Sequence, residues 1–98
     1  MKRVIFPAPA EQEMVGAALF YELRAPRLGR RFLNQVAQAV RALNRNPKAW
    51  TEVRSGIRRK PVLAFPYALL YREDPQEIVI LAVMHLHRDP AYWTERLY

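Results

Sequence analysis

Apolar residues recur at two different periods in this chain, and the change of period divides it near the middle. Before Pro47 they return every three or four residues, the spacing of a helix lying on a core. After Gly56 they fall into short runs broken by proline and turn residues, which predicts strands. A first strand is expected over residues 4–6, closed by Pro7 and Pro9. Pro9 then opens a helix, with Glu11 and Glu13 placed to complement its N-terminal dipole. Ala10, Met14, Ala17 and Tyr21 share one face of that helix, and Val15, Ala18 and Leu19 widen it. Gly16, Ala17 and Ala18 are small enough for another helix to approach closely. Arg24 sits in the last turn and Pro26 stops the run.

A second helix is predicted over residues 28–45. Leu28, Phe32, Val36, Ala39, Val40 and Leu43 form its apolar stripe, and Arg30, Asn34, Gln38, Arg41 and Arg45 its polar face. Asn46-Pro47 ends it. So short a break between the two helices predicts an antiparallel hairpin.

Residues 48–55 read as a loop anchored by Trp50. Three strands follow: residues 57–65, in which Pro61 marks a bulged or edge strand, residues 67–73, and residues 77–84 after the Asp74-Pro75-Gln76 turn. The seven unbroken apolar residues Ile78 to Met84 describe a strand buried on both faces, the centre of the sheet. The expected architecture is one α+β domain over residues 1–98, with an N-terminal strand and a helical hairpin packed on a mostly antiparallel sheet of three to four strands.

That central strand runs directly into polar and aromatic residues: His85, His87, Arg88, Asp89, Pro90, Tyr92 and Trp93. A rigid strand ending in such groups is a good base for a site. His85 next to the core suits a structural hydrogen bond, whereas His87 is equally placed for acid–base work. Two histidines without a third ligand make a poor metal site, so neither a metal nor a cofactor is expected. No Gly-rich phosphate loop and no Ser/His/Asp order is present. On the 57–65 strand, Arg58 and Lys60 should share one face and Arg59 the other. A surface gathering Arg58, Lys60, Arg72 and Arg88 would suit phosphates or an acidic segment, with Tyr67, Tyr71, Tyr92 and Trp93 supplying aromatic area beside it.

Charge sharpens this picture. The formal net charge is +7, and thirteen of the sixteen basic residues are arginine, which favours bidentate partners such as phosphates and carboxylates. Nucleic acid and an acidic protein segment are the two partner classes that follow. The absence of cysteine removes disulfides and thiolate chemistry. No apolar run approaches bilayer-spanning length and no signal h-region is present, so a cytoplasmic protein with no membrane partner is expected.

The order of elements and the wording of four stretches resemble the RelE/ParE superfamily of bacterial toxins, in particular its ParE-type, or plasmid stabilisation, branch. The stretches are LFYELRAPRLGRRFLNQV, the Asn-Pro closing the second helix, the IRR…FPYALLYR segment and the ILAVMHLHRDPAYW terminus. The resemblance implies the toxin of a type II toxin–antitoxin pair, neutralised in a hetero-oligomer by an antitoxin with a flexible, acidic tail. Tyr21, Arg30, Arg41 and Arg72 are the residues expected to meet that antitoxin. RelE-type members cut mRNA on the ribosome, whereas ParE-type members poison DNA gyrase. Against the ribonuclease pattern, Ala68 follows Tyr67, Leu86 stands where an arginine is expected, and of two basic positions one falls on Arg59 and the other on Pro61. The resemblance therefore implies a gyrase inhibitor acting by binding, with Arg58, Arg59, Lys60, His87, Arg88, Tyr92 and Trp93 expected to contact the target. The alternative is a RelE-like mRNA endoribonuclease using His87, Arg88 and Tyr92.

Overall fold

In the computed structural model, which describes residues 1–89 and 91–97, both helices fall where the spacing puts them. Helix α1 (Ala8–Arg24) carries proline in its first turn and stops before Pro26; α2 (Leu28–Arg45) begins after a break of three residues. The tight connection needs a left-handed residue, Arg27 at φ 69°. The Glu22 carboxylate steadies it by accepting from the N–H groups of Arg27 (2.9 Å) and Gly29 (3.1 Å), orphan donors at the start of α2. The close helix approach occurs at Gly29 against Ala18, where a Cβ on Gly29 would overlap the Ala18 carbonyl. Gly16, by contrast, faces open space.

The sheet has five strands in the order β1-β5-β4-β3-β2. These are β1 (Arg3–Ile5), β2 (Thr51–Arg54), β3 (Ile57–Val62), β4 (Tyr67–Glu73) and β5 (Glu77–His85). β1 lies parallel to β5 and the remaining pairs are antiparallel. The expected loop over residues 48–55 therefore holds an edge strand, β2, all four of whose residues are exposed. β3 is thereby interior at Ile57–Arg59, which β2 covers, and becomes an edge from Lys60 onward. Pro61 sits in the edge half, where its missing N–H deprives no partner.

β5 is central and buried from Ile78 to Met84. Its alternation is broken by a bulge, since Leu70 pairs with Ala82 and Tyr71 with Ile80. Leu81 is the extra residue, so Leu81 and Ala82 both turn away from the helices. Two cores result, one on each face of the sheet. The larger joins Ala10, Ala17, Phe32, Val36 and Leu43 of the helices to Leu69, Tyr71, Ile78, Ile80 and Val83. The second holds Ile57, Leu70, Val79, Leu81, Ala82 and Met84, and is covered by Trp93 with Tyr92 and Leu97. The C-terminal segment, ending in a 3₁₀ turn (Thr94–Leu97), is thus the lid of the second face.

Tyr71 is fully buried and donates to the Pro47 carbonyl at 2.6 Å, tying the end of α2 to the sheet. Burial pushes its phenol up to about 12, against a smaller downward pull from Arg58. A folded-state value above the ordinary 10 favours the neutral form, so the stabilisation is complete below pH 10 and disappears as pH rises through 12. About 2–3 kcal/mol should be lost over that window. Urea titrations at increasing pH should show the loss, and Tyr71→Phe should remove this step.

Candidate functional site

The residues that follow β5 gather around one carboxylate. β1 ends at Ile5, opposite Val79, so among the described residues β5 continues without a strand neighbour on that side. There Glu13, reaching from α1, accepts the N–H of Val83 at 3.0 Å. Arg96 donates to the Leu81 carbonyl (3.1 Å) and to both Glu13 oxygens (2.9 and 3.1 Å). A side-chain pair thus stands in for the missing strand and closes the sheet edge. Arg88 adds a longer contact to Glu13 at 3.4 Å. Glu13 does not complement the helix dipole, as its position in the sequence suggests; it is the anchor of the C-terminal segment.

Two guanidiniums approach the Tyr92 ring, Arg88 at 3.6 Å and Arg96 at 5.1 Å from its centre. Its hydroxyl is buried beside Glu13 without a well-formed hydrogen bond. Burial first, then the Glu13 carboxylate, drives the phenol far above its ordinary value. It is therefore neutral at physiological pH. Trp93 is 4% exposed and belongs to the second core, so it is not free to meet a target. His85 lies against Tyr67, ring centres 5.0 Å apart, and its Nδ1 accepts the N–H of His87 at 3.1 Å, the structural role expected of it. The strand stops at His85, and His87 projects into solvent with its ring 5.2 Å from that of His85. Pro90 lies outside the described residues.

The four cations expected on one surface are dispersed. Arg58 and Lys60 turn toward the helix side: Arg58 donates to the Trp50 carbonyl (2.8 Å) and Lys60 lies over the Trp50 ring (4.3 Å). Arg59 is exposed on the opposite face. Arg72 is on that second face too, bound twice by Asp74 at 2.8 and 3.1 Å, which holds the Asp74 carboxyl below the usual carboxylate range. Arg88 belongs to the Glu13 cluster, beyond β5. Strand alternation predicted the split within β3, but the surface uniting Arg58, Lys60, Arg72 and Arg88 does not form.

A second feature lies on the outside of the helical hairpin. Val15 and Leu19, expected to widen the buried face of α1, are 47% and 60% exposed. With Leu33 they line an apolar hollow of ≈ 310 Å³ that also includes Ala18, Gly29, Arg30 and Glu22, whose carboxylate is taken up by the Arg27 and Gly29 N–H groups. Leu33 joins it to another of ≈ 410 Å³ formed by Phe6, Met14, Val36, Ala37, Val40 and Arg41. The two make one groove between α1 and α2 with Arg30 and Arg41 on its rim. Of the residues expected to meet the antitoxin, these two line it. Tyr21 does not: it packs against Phe32, Phe65 and Tyr67 under the hairpin, and Arg72 is on the far face of the sheet.

Among the described residues, no group of three or more His, Cys, Asp or Glu is placed to hold a metal ion, and no helix is long and apolar enough to cross a membrane. Glu13 and Arg96 are the site residues that local sequence patterns miss. They are 83 positions apart, and no short-range signal joins them.

Comparison with known proteins adds an independent line. Residues 4–90 match the family model described as ParE toxin of type II toxin-antitoxin system, parDE. No curated protein sequence matches. Among solved structures, the chain is similar to one described as the chromosomal ParDE TA system from P. aeruginosa, with TM-score 0.76 and 15% identity, covering 89% of this chain and 98% of that one. At that identity the likeness establishes the fold.

Proposed function

The chain belongs to the ParE toxin family of type II toxin–antitoxin systems, and we propose that it inhibits DNA gyrase by binding and is neutralised by an antitoxin seated in the groove on its helical hairpin. The dispersal of its candidate chemistry carries this reading. Cleaving RNA needs a base, an acid and a charge-stabilising cation around one phosphate. Here Arg58 and Lys60 are held at Trp50 on β3, whereas Arg88 and Tyr92 are held at Glu13 beyond β5, with β4 and β5 between. His87, Arg88 and Arg59 remain exposed for contact with a large partner, whereas Trp93 is buried in the second core.

The groove suits an amphipathic antitoxin helix. Its floor is apolar, and Arg30 and Arg41 stand where an acidic flank would meet them. A disordered tail that orders on binding needs such apolar area to offset its lost entropy.

The test uses purified gyrase and relaxed plasmid. Addition of the toxin should block supercoiling or accumulate cleaved DNA, and co-purified antitoxin should restore activity. Leu33→Glu should weaken the antitoxin complex by about thirtyfold or more, the scale of an interface hot spot, and leave gyrase inhibition intact. Translated message cut at specific sites, with gyrase untouched, would establish the ribonuclease alternative. In that outcome the exposed His87 beside His85 is the place to look for its acid or base.

A further inference from the structure

Charge is segregated along this chain. Residues 24–60 contain eleven of the sixteen basic residues but only one of the nine acidic ones, Glu52. Glu52 is already engaged by Arg58 at 3.6 Å. The fold concentrates the excess further. α2 and β3 converge on a trough of ≈ 420 Å³ lined by Gln35, Gln38, Arg41, Arg45, Lys60 and Leu63, with Ala39 and Ala42 at its base. By helical spacing this lies on the opposite side of α2 from the apolar groove, and Arg41 stands on the ridge between the two. Arg41 and Arg45 are one turn apart, about 6 Å along the axis. Among the described residues neither takes part in an ion pair. Lys60 rests over Trp50 and donates one N–H to the Pro61 carbonyl, leaving two N–H donors for a ligand.

We propose that this trough binds the phosphate backbone of nucleic acid without regard to sequence. Two guanidiniums, an ammonium and two side-chain amides are the donor set of sequence-independent phosphate contact, and among the described residues no carboxylate lines the trough to oppose it. An acidic protein segment would find charge here but less apolar area than in the groove across α2, and it needs that area to order itself. The apolar area lies across α2, in the groove assigned to the antitoxin. The two sides of α2 thus fit two different partners. The trough's binding is independent of gyrase and is measured without it.

The test is fluorescence anisotropy with labelled single- and double-stranded DNA and RNA of scrambled sequence, between about 50 and 200 mM salt. Replacing all three cations (R41A/R45A/K60A) should lower affinity at least about tenfold and reduce the slope of log K against log salt by about 3. A triple of equal charge elsewhere, R3A/R24A/R54A, should change affinity by less than about threefold. Circular dichroism and thermal melting check that both triples are folded. If losing Lys60 disturbs Trp50, R41A/R45A alone carries the test, with the slope falling by about 2. Equal losses in both triples would reduce the effect to net charge and overturn the site. Tighter binding of a polyglutamate probe that displaces DNA would also overturn it, making the trough a seat for acidic protein.

Discussion

Glu13→Ala is expected to lower the unfolding free energy by about 3–5 kcal/mol, the cost of leaving a mostly buried cation without its partner. Arg96, Arg88 and the Val83 N–H all converge on this one carboxylate. Glu13 is 14% exposed and Arg96 24%, so their paired hydrogen bonds are only partly screened by water. The Val83 N–H and the Leu81 carbonyl are satisfied by the same two residues, so removing Glu13 also strands an edge donor. Arg88 contributes less, being half exposed. Glu13→Gln keeps an acceptor for Val83 but not the charge, and should cost about half as much. Urea denaturation of the wild type, both variants, Arg96→Met and the corresponding doubles checks this. A coupling between Glu13 and Arg96 near zero in the double-mutant cycle would sink the idea of a clasp.

The same variants separate stability from target contact. If the C-terminal segment is held by Glu13, then Glu13→Ala should raise proteolytic cleavage after Arg88 and Arg96 while the helical hairpin stays protected. If the groove seats the antitoxin as proposed, its binding should persist at temperatures where the variant is folded.

Particular elements explain what the amino-acid pattern could reveal. Both helices, β4 and the burial of β5 were legible because their periods run long enough to be unambiguous. The family resemblance was legible in the segments bordering β4 and β5. β2 was missed because Thr51–Arg54 is short and exposed throughout, although the Ser55-Gly56 pair after it is a two-residue hairpin signal. The bulge at Leu81 left no trace, since every residue around it is apolar.

Val15 and Leu19 show a deeper limit. Spacing tells which residues share a face, but not whether the chain itself or a partner covers that face. The groove is the part of the apolar stripe that this chain leaves open. Glu13 with Arg96 shows another limit, because a contact spanning 83 positions has no local signature.

Trp93→Ala is the other change expected to be severe, at about 3–5 kcal/mol for removing a buried aromatic side chain. Trp93 is 4% exposed and joins Tyr92 and Leu97 in the apolar cluster built on Leu70, Val79, Leu81 and Met84 of the second sheet face. A loss of that size is a large share of the roughly 5–15 kcal/mol that a domain of this kind has in total. Trp93→Phe should recover most of it, because it restores apolar volume and discards an indole Nε1 that is buried without a partner. Denaturant titration together with binding of an apolar dye reads both effects, the dye reporting exposure of the second face. The outcome also decides what the C-terminal segment is for. A target-binding tryptophan would lose partner affinity on truncation at unchanged stability. A lid residue should lose stability first, with partner binding falling only as the folded fraction falls. Arg88 and His87, exposed just before the lid, are then the residues of this segment left to touch a partner, and changing either should leave the unfolding curve nearly unmoved.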